Sequence, residues 1–164
     1  MQLFACKLPS INFFITSKNQ NRLKKVEEGL CKVIKTSYLE VYIDEIVPRL
    51  RSIDLHLKSG DGFDVSTVSD LLDITEKEVI LLRGGMSETI AADEFLNIMR
   101  RGSSLVCGMY RRELERCSPT IYTIDDVAYI YSLDYELVQI AFEKLNAASV
   151  TEYLLPEVFA QIWF

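Results

Sequence analysis

The chain has 164 residues, 49% of them apolar and 26% charged, with 7 Gly, 4 Pro and a formal net charge of −6. That is enough apolar material for a real core, which excludes a disordered or collagen-like chain, and too few turn-formers for a many-stranded sandwich. The charge is uneven: residues 1–35 hold seven cations against two acids, a net +5, whereas the remaining residues hold eleven cations against 22 acids, a net −11.

No stretch approaches the roughly 18 consecutive apolar residues of a membrane span, so a water-soluble chain with no membrane partner is expected. Met1 to Thr16 is fairly apolar, but Lys7 and Pro9 interrupt it and no basic residue precedes it, which makes a poor secretory signal. Leu3-Phe4-Ala5-Cys6 has the letters of a lipoprotein cleavage box without the basic and long apolar regions that precede one. Cys6, Cys31, Cys107 and Cys117 form no C-x-x-C pair and have no histidine nearby, so free thiols, mostly in the core, and a cytoplasmic location are expected.

In chain order, Ser10 to Thr16 is β-branched and aromatic and predicts one short strand or extended segment. From Asn21 to Lys35, Leu23, Val26, Leu30, Val33 and Ile34 recur at helical spacing and predict an amphipathic helix. Ser37 is placed to cap a second helix, whose apolar stripe runs through Tyr38, Leu39, Tyr42, Ile46, Leu50, Ile53 and Leu57, with Pro48 expected to kink or divide it. Ser59-Gly60-Asp61-Gly62 ends that helix. Short helices follow at residues 66–72 and 76–83, stopped by Gly84-Gly85, then one at 92–100 ending at Gly102. Ser104 to Arg116 is read as a helix with Leu105, Met109 and Leu114 inward. Beyond Ser118-Pro119 come helices at 124–131 and 135–145, and a last helix or helix plus tail from Thr151 to Phe164.

Residues 63–82 match residues 122–141 at a lag of 59: of ten apolar columns in the first copy, nine are apolar in the second, where composition alone predicts about five. The pairs include Phe63/Tyr122, Val68/Val127, Leu72/Tyr131, Val79/Val138 and Leu81/Ile140. With one residue inserted, Phe95, Ile98 and Met99 fall on Leu155, Val158 and Phe159; upstream, Ser37-Tyr38-Leu39 is matched to Ser103-Ser104-Leu105. The expected fold is all-α, as two tandem units of three or four helices: residues 37–102 and 103–164, behind a basic segment of residues 1–36.

Both copies resemble a helix-turn-helix, in which a small residue lets two helices cross closely and apolar positions set their angle. Val127, Ala128, Tyr131, Leu133, Val138 and Ala141 fall at that motif's inward spacings, as do Val68, Ser69, Leu72, Ile74, Val79 and Leu82. The glycine usual at the turn is replaced by Ser132 and Asp73.

The resemblance implies that the second helix of each pair meets DNA, yet the stretches there are Thr75-Glu76-Lys77-Glu78 and Asp134-Tyr135-Glu136-Leu137. Carboxylates facing phosphates remove the counterion-release term that drives most DNA affinity. DNA binding is therefore disfavoured, and the expected partner is a basic protein surface, such as the nucleic-acid channel of an enzyme, that the chain binds and inhibits. The candidate contact residues are Glu76, Glu78, Asp134, Tyr135, Glu136 and Tyr129. The alternative is a transcriptional regulator that binds DNA as a homodimer through Lys24, Lys25, Arg100, Arg101, Arg111 and Arg112.

No catalytic or phosphate-binding motif is present. His56 has no orienting partner in sequence and is expected on the surface or packed. Asp125-Asp126 is expected to serve capping and the helix dipole rather than a metal. No cofactor, no metal and no enzyme activity are expected. The aromatics Tyr122, Tyr129, Tyr131, Tyr135, Phe142 and Tyr153 outnumber what a core of this size needs, so some are expected on the surface.

Overall fold

The computed structural model describes residues 36–84 and 88–164. The strand expected at Ser10 to Thr16, the helix at Asn21 to Lys35, Lys24, Lys25, Cys6, Cys31 and Gly85 lie outside the described residues.

The described chain is mainly helical, in keeping with the all-α expectation. In order it forms α1 (Tyr38–Val41), a π-helical stretch (Tyr42–Ile46), α2 (Val47–Ser59), α3 (Val65–Leu72), α4 (Glu76–Leu82), α5 (Ala92–Arg101) and α6 (Leu105–Glu115). After these come β1 (Ile121–Tyr122), α7 (Ile124–Tyr131), α8 (Tyr135–Lys144), β2 (Val150–Thr151), a 3-10 turn (Glu152–Leu154) and α9 (Leu155–Phe159). No described helix is long and apolar enough to cross a membrane.

Ser37 does cap α1: its Oγ accepts from Glu40 N at 3.3 Å, and the Glu40 carboxylate accepts from Ser37 N at 3.3 Å. Two otherwise orphaned donors are thereby satisfied. Pro48 does not divide the helix. A proline ring collides with the carbonyl four residues earlier in an α ladder, and the wider π pitch immediately before it, with Val47 N donating to Tyr42 O, relieves that collision. The helix ends at Gly60, whose φ of 73° is the left-handed cap that a side chain disfavours.

Each short-helix pair follows from its caps. Asp64 accepts from Thr67 N at the start of α3, and Thr123 and Asp126 exchange hydrogen bonds of 3.0 and 3.3 Å at the start of α7. The acids at 125–126 thus include a capping residue, as expected. Thr75 and Asp134 cap the second helices. Between the helices, Asp73 and Ser132 take the same left-handed conformation, φ 56° in both. The bonds Ile74 N to Ser69 O and Leu133 N to Ala128 O close the two turns alike.

Several columns at lag 59 agree in burial as well as letters. Val68 and Val127, and Val79 and Val138, are all 0% exposed; Phe63 and Tyr122, and Leu72 and Tyr131, are buried. Phe63 bridges to Ile90 and Tyr122 pairs with Val150, so a short antiparallel contact flanks each hairpin. These two-residue pairings were absent from the sequence expectation because they are too short to show a period of two.

Two expectations about the leading helices are corrected. The two caps are Ser37 and Ser104, so the helix starts match one residue beyond the Ser37/Ser103 pairing of the alignment. Carrying lag 59 upstream instead places Val47 on Val106 and Leu50 on Met109, so α2, not α1, stands where α6 stands. Leu105 is 44% exposed, because α6 turns Val106, Cys107 and Met109 inward and its first residue falls outside that face.

The helix of residues 38–59 serves both hairpins. Ile53 lies in the core with Phe63, Val68, Leu72, Phe95 and Ile98. Its earlier half carries Tyr38 and Tyr42 to Phe159, with ring centroids 4.9 and 4.8 Å away, and Tyr42 to Tyr131 at 6.2 Å. The chain end is strapped to the same place: Tyr38 N donates to Ile162 O at 2.9 Å and Phe164 N to Thr36 O at 3.1 Å. Residues 36–164 consequently pack as one unit.

Candidate functional site

The outer faces of the second helices carry more apolar surface than the pattern predicts. On α4, Ile80 is 59% and Leu81 80% exposed; on α8, Tyr135 is 48% and Ile140 46% exposed. Leu81 and Ile140 occupy one repeat column, read from sequence simply as an apolar match. They point to solvent because Val79 and Val138 already fill the inward position, and residues two apart lie on different helix faces.

The predicted acidic contacts divide. Glu76 and Glu136 are exposed on the first turns of α4 and α8. Asp134 spends one carboxylate oxygen on Glu136 N and Leu137 N, at 2.9 and 3.2 Å. Glu78 is turned away from the outer face: it accepts from Ser103 N at 2.8 Å and Ser103 Oγ at 2.9 Å, which ties α4 to the junction of α5 and α6. Gln139 and Glu143, on the outer face of α8, bond each other at 2.9 Å.

Tyr129, 42% exposed, is held at the side of α7. Its hydroxyl donates to Glu115, and Arg116 lies over its ring at 4.8 Å while pairing with Asp126 at 3.6 Å. Tyr153 is 77% exposed, whereas Tyr122, Tyr131 and Phe142 are buried. The aromatic excess is thus divided between core and surface, as expected. Burial lifts the Tyr42 phenol to about 12 and that of Tyr131 well above its usual value, so these hydroxyls stay neutral within the core.

The arginines also divide. Arg100, Arg101 and Arg111 line one cleft with Leu82, Leu114 and Glu115. Arg112 does not join them: its Nε donates to the Ile130 carbonyl at 2.9 Å, half-buried between α6 and α7. Gly108 makes room for it, since a Cβ there would stand 3.0 Å from Arg112 Nη1. Nothing in the sequence marks this inward guanidinium, because a neighbouring pair such as Arg111-Arg112 reads as one solvated patch.

His56 is exposed, donates from Nδ1 to the Ser52 carbonyl at 3.0 Å and stacks on Phe63 at 6.1 Å, so the packed and surface expectations hold together. Cys107 is buried, and burial pushes its thiol up; Cys117 is exposed. Glu113 is half-buried beneath Tyr122, whose hydroxyl donates to it at 3.0 Å, and burial raises its carboxyl above the usual range. Glu152 is raised for the same reason. Comparison with known proteins finds no matching family model, curated protein or solved structure.

Proposed function

We propose that the chain is a non-enzymatic regulatory protein of the cytoplasm, a duplicated helix-turn-helix-like unit that binds another protein through the outer faces of α4 and α8. The observation that carries this reading is the exposure of Leu81 and Ile140 in the same column of both hairpins, each beside a fully buried valine. Burying a Leu or Ile side chain against a partner stabilises a complex by roughly 1.5–3 kcal/mol, so these positions are suited to be its anchors. Glu76 and Glu136, on a body of net −11, set the sign of the complement: a cationic surface, such as that of a nucleic-acid-handling enzyme, which the bound chain obstructs.

The face suits DNA poorly. A major-groove helix offers Arg, Lys, Asn or Gln to base edges, and here the exposed residues of α4 and α8 include Ile80, Leu81, Tyr135 and Ile140, with Gln139 already bonded to Glu143. A second reading, DNA binding as a homodimer, is favoured only by the grouping of Arg100, Arg101 and Arg111. Arg112 does not support it, being committed to Ile130.

The test is affinity capture by the wild-type chain and by a Leu81→Lys, Ile140→Lys variant. The reading expects a basic protein retained by the wild type and lost with the variant. Capture that is indifferent to the variant, together with tight salt-sensitive duplex binding, would favour the regulator instead.

A further inference from the structure

We infer that the cleft lined by the ends of α4 and α5 and by α6 is a binding site for a small phosphate-bearing ligand of about nucleotide size. It is an open cleft of about 540 Å³, and its lining is Leu82, Arg100, Arg101, Arg111, Leu114 and Glu115. Three guanidiniums against one carboxylate make it locally cationic in a body whose net charge is −11.

Gathering three like charges costs free energy unless a counter-charge joins them. Among the described residues none of the three arginines forms an ion pair, whereas Arg49, Lys58, Arg83 and Arg116 do. Backbone carbonyls hold two of the stems: Arg101 Nη1 donates to Leu82 O and Arg111 Nη1 to Arg100 O, both at 3.4 Å. One carbonyl uses one of the five donors on each fork, so most N–H groups remain for a ligand already met by oriented cations. The Glu115 carboxylate accepts from the Tyr129 hydroxyl, and among the described residues it forms no ion pair with these guanidiniums.

The chemistry selects phosphate over a single carboxylate, because three forks match several anionic oxygens carrying more than one charge. Leu82 and Leu114 add an apolar wall for the body of the ligand, such as a base or ring. A small ligand is favoured over a nucleic-acid duplex, since the acidic body repels a long polyanion far more than it repels one compact group. Leu82 at the end of α4 lines this site, but the outer-face residues Ile80, Leu81, Tyr135 and Ile140 do not, so its failure would leave the protein-docking reading intact.

The experiment is calorimetric titration of the full chain with inorganic pyrophosphate, adenosine triphosphate and a short DNA duplex. The expected result is saturable binding of both small probes, tighter for the triphosphate, which uses the apolar wall. Binding should weaken about ten-fold or more in an Arg100→Ala, Arg111→Ala variant. Arg100→Ala alone, which removes an exposed side chain and leaves its carbonyl in place, should weaken it several-fold; it is the deciding variant if circular dichroism finds the double variant unfolded. Arg111→Lys keeps the charge, loses the fork, and should fall between wild type and the double variant. Absence of saturable binding by either small probe, binding unchanged in Arg100→Ala, or binding of the duplex alone would each overturn the inference.

Discussion

The hairpins of residues 63–82 and 122–141 share the bounds of their first helix, the start of their second, the left-handed turn and the buried valines, yet they are supported differently. The first is closed by the ten-residue α5, with Phe63 stacked on Phe95 at 4.5 Å. The second is closed by a 3-10 turn and the five-residue α9, and takes its remaining support from Tyr38, Tyr42 and the chain end. Where its own closing helix is short, a segment from the start of the described chain supplies the missing packing. The contrast teaches that one local pattern can be completed by different tertiary partners, provided the inward columns are filled.

The largest effect should come from removing matched core side chains. Phe63→Ala and Tyr122→Ala should each cost about 3–5 kcal/mol in denaturant unfolding. Because the helix of residues 38–59 packs on both hairpins, either variant should unfold in a single transition; two separated transitions would break the comparison by making the hairpins independent.

Tyr122→Phe sharpens it, since only the second hairpin has a hydroxyl at this column, donating to Glu113. Losing that donor should cost about 1–3 kcal/mol at neutral pH. The pH dependence has a definite sign. The Glu113 carboxyl is raised in the folded state, so its protonated form is favoured there, and stability present below the unfolded-state value is lost as pH rises through the folded one. The Tyr122→Phe penalty should therefore shrink on acidification, beginning above the ordinary glutamate range because the folded-state carboxyl is raised. Glu113→Gln should flatten the dependence, and an acid-independent penalty would contradict the assignment.

A smaller gain is expected at the turns. Ser132→Gly should stabilise by about 0.5–1 kcal/mol, because a side chain at φ 56° is strained. Asp73→Gly should gain less, as aspartate tolerates that conformation better and here pairs with Arg49 at 3.6 Å. Equal gains in thermal melts would show that the two turns carry the same strain. Smallest of all, Leu81→Lys and Ile140→Lys should each change stability by no more than about 0.5 kcal/mol, as both side chains are exposed.

The hairpins were legible from sequence because apolar period, cap and turn act within a few residues. Asp126, Ser132, and Val127 and Val138 each announce a local role that the structure keeps. What depends on tertiary partners was not legible. The π stretch before Pro48 could not be told from a break, because proline alone predicts either. Leu81 and Ile140 matched only as apolar letters, since an apolar residue beside an apolar residue carries no direction of its own. Arg112 reads as surface until Gly108 and the Ile130 carbonyl are placed around it. Of the candidate contacts, Glu76 and Glu136 are exposed on the first turns of α4 and α8, while Glu78 was claimed by Ser103, twenty-five residues away.

The outer faces of the second helices are the centre of the functional reading. Hydrogen-exchange footprinting of the chain with its captured partner tests them directly. Added protection should appear over residues 76–82 and 135–144 together. Protection confined to α5 and α6, with α4 and α8 exchanging as in the free chain, would contradict it.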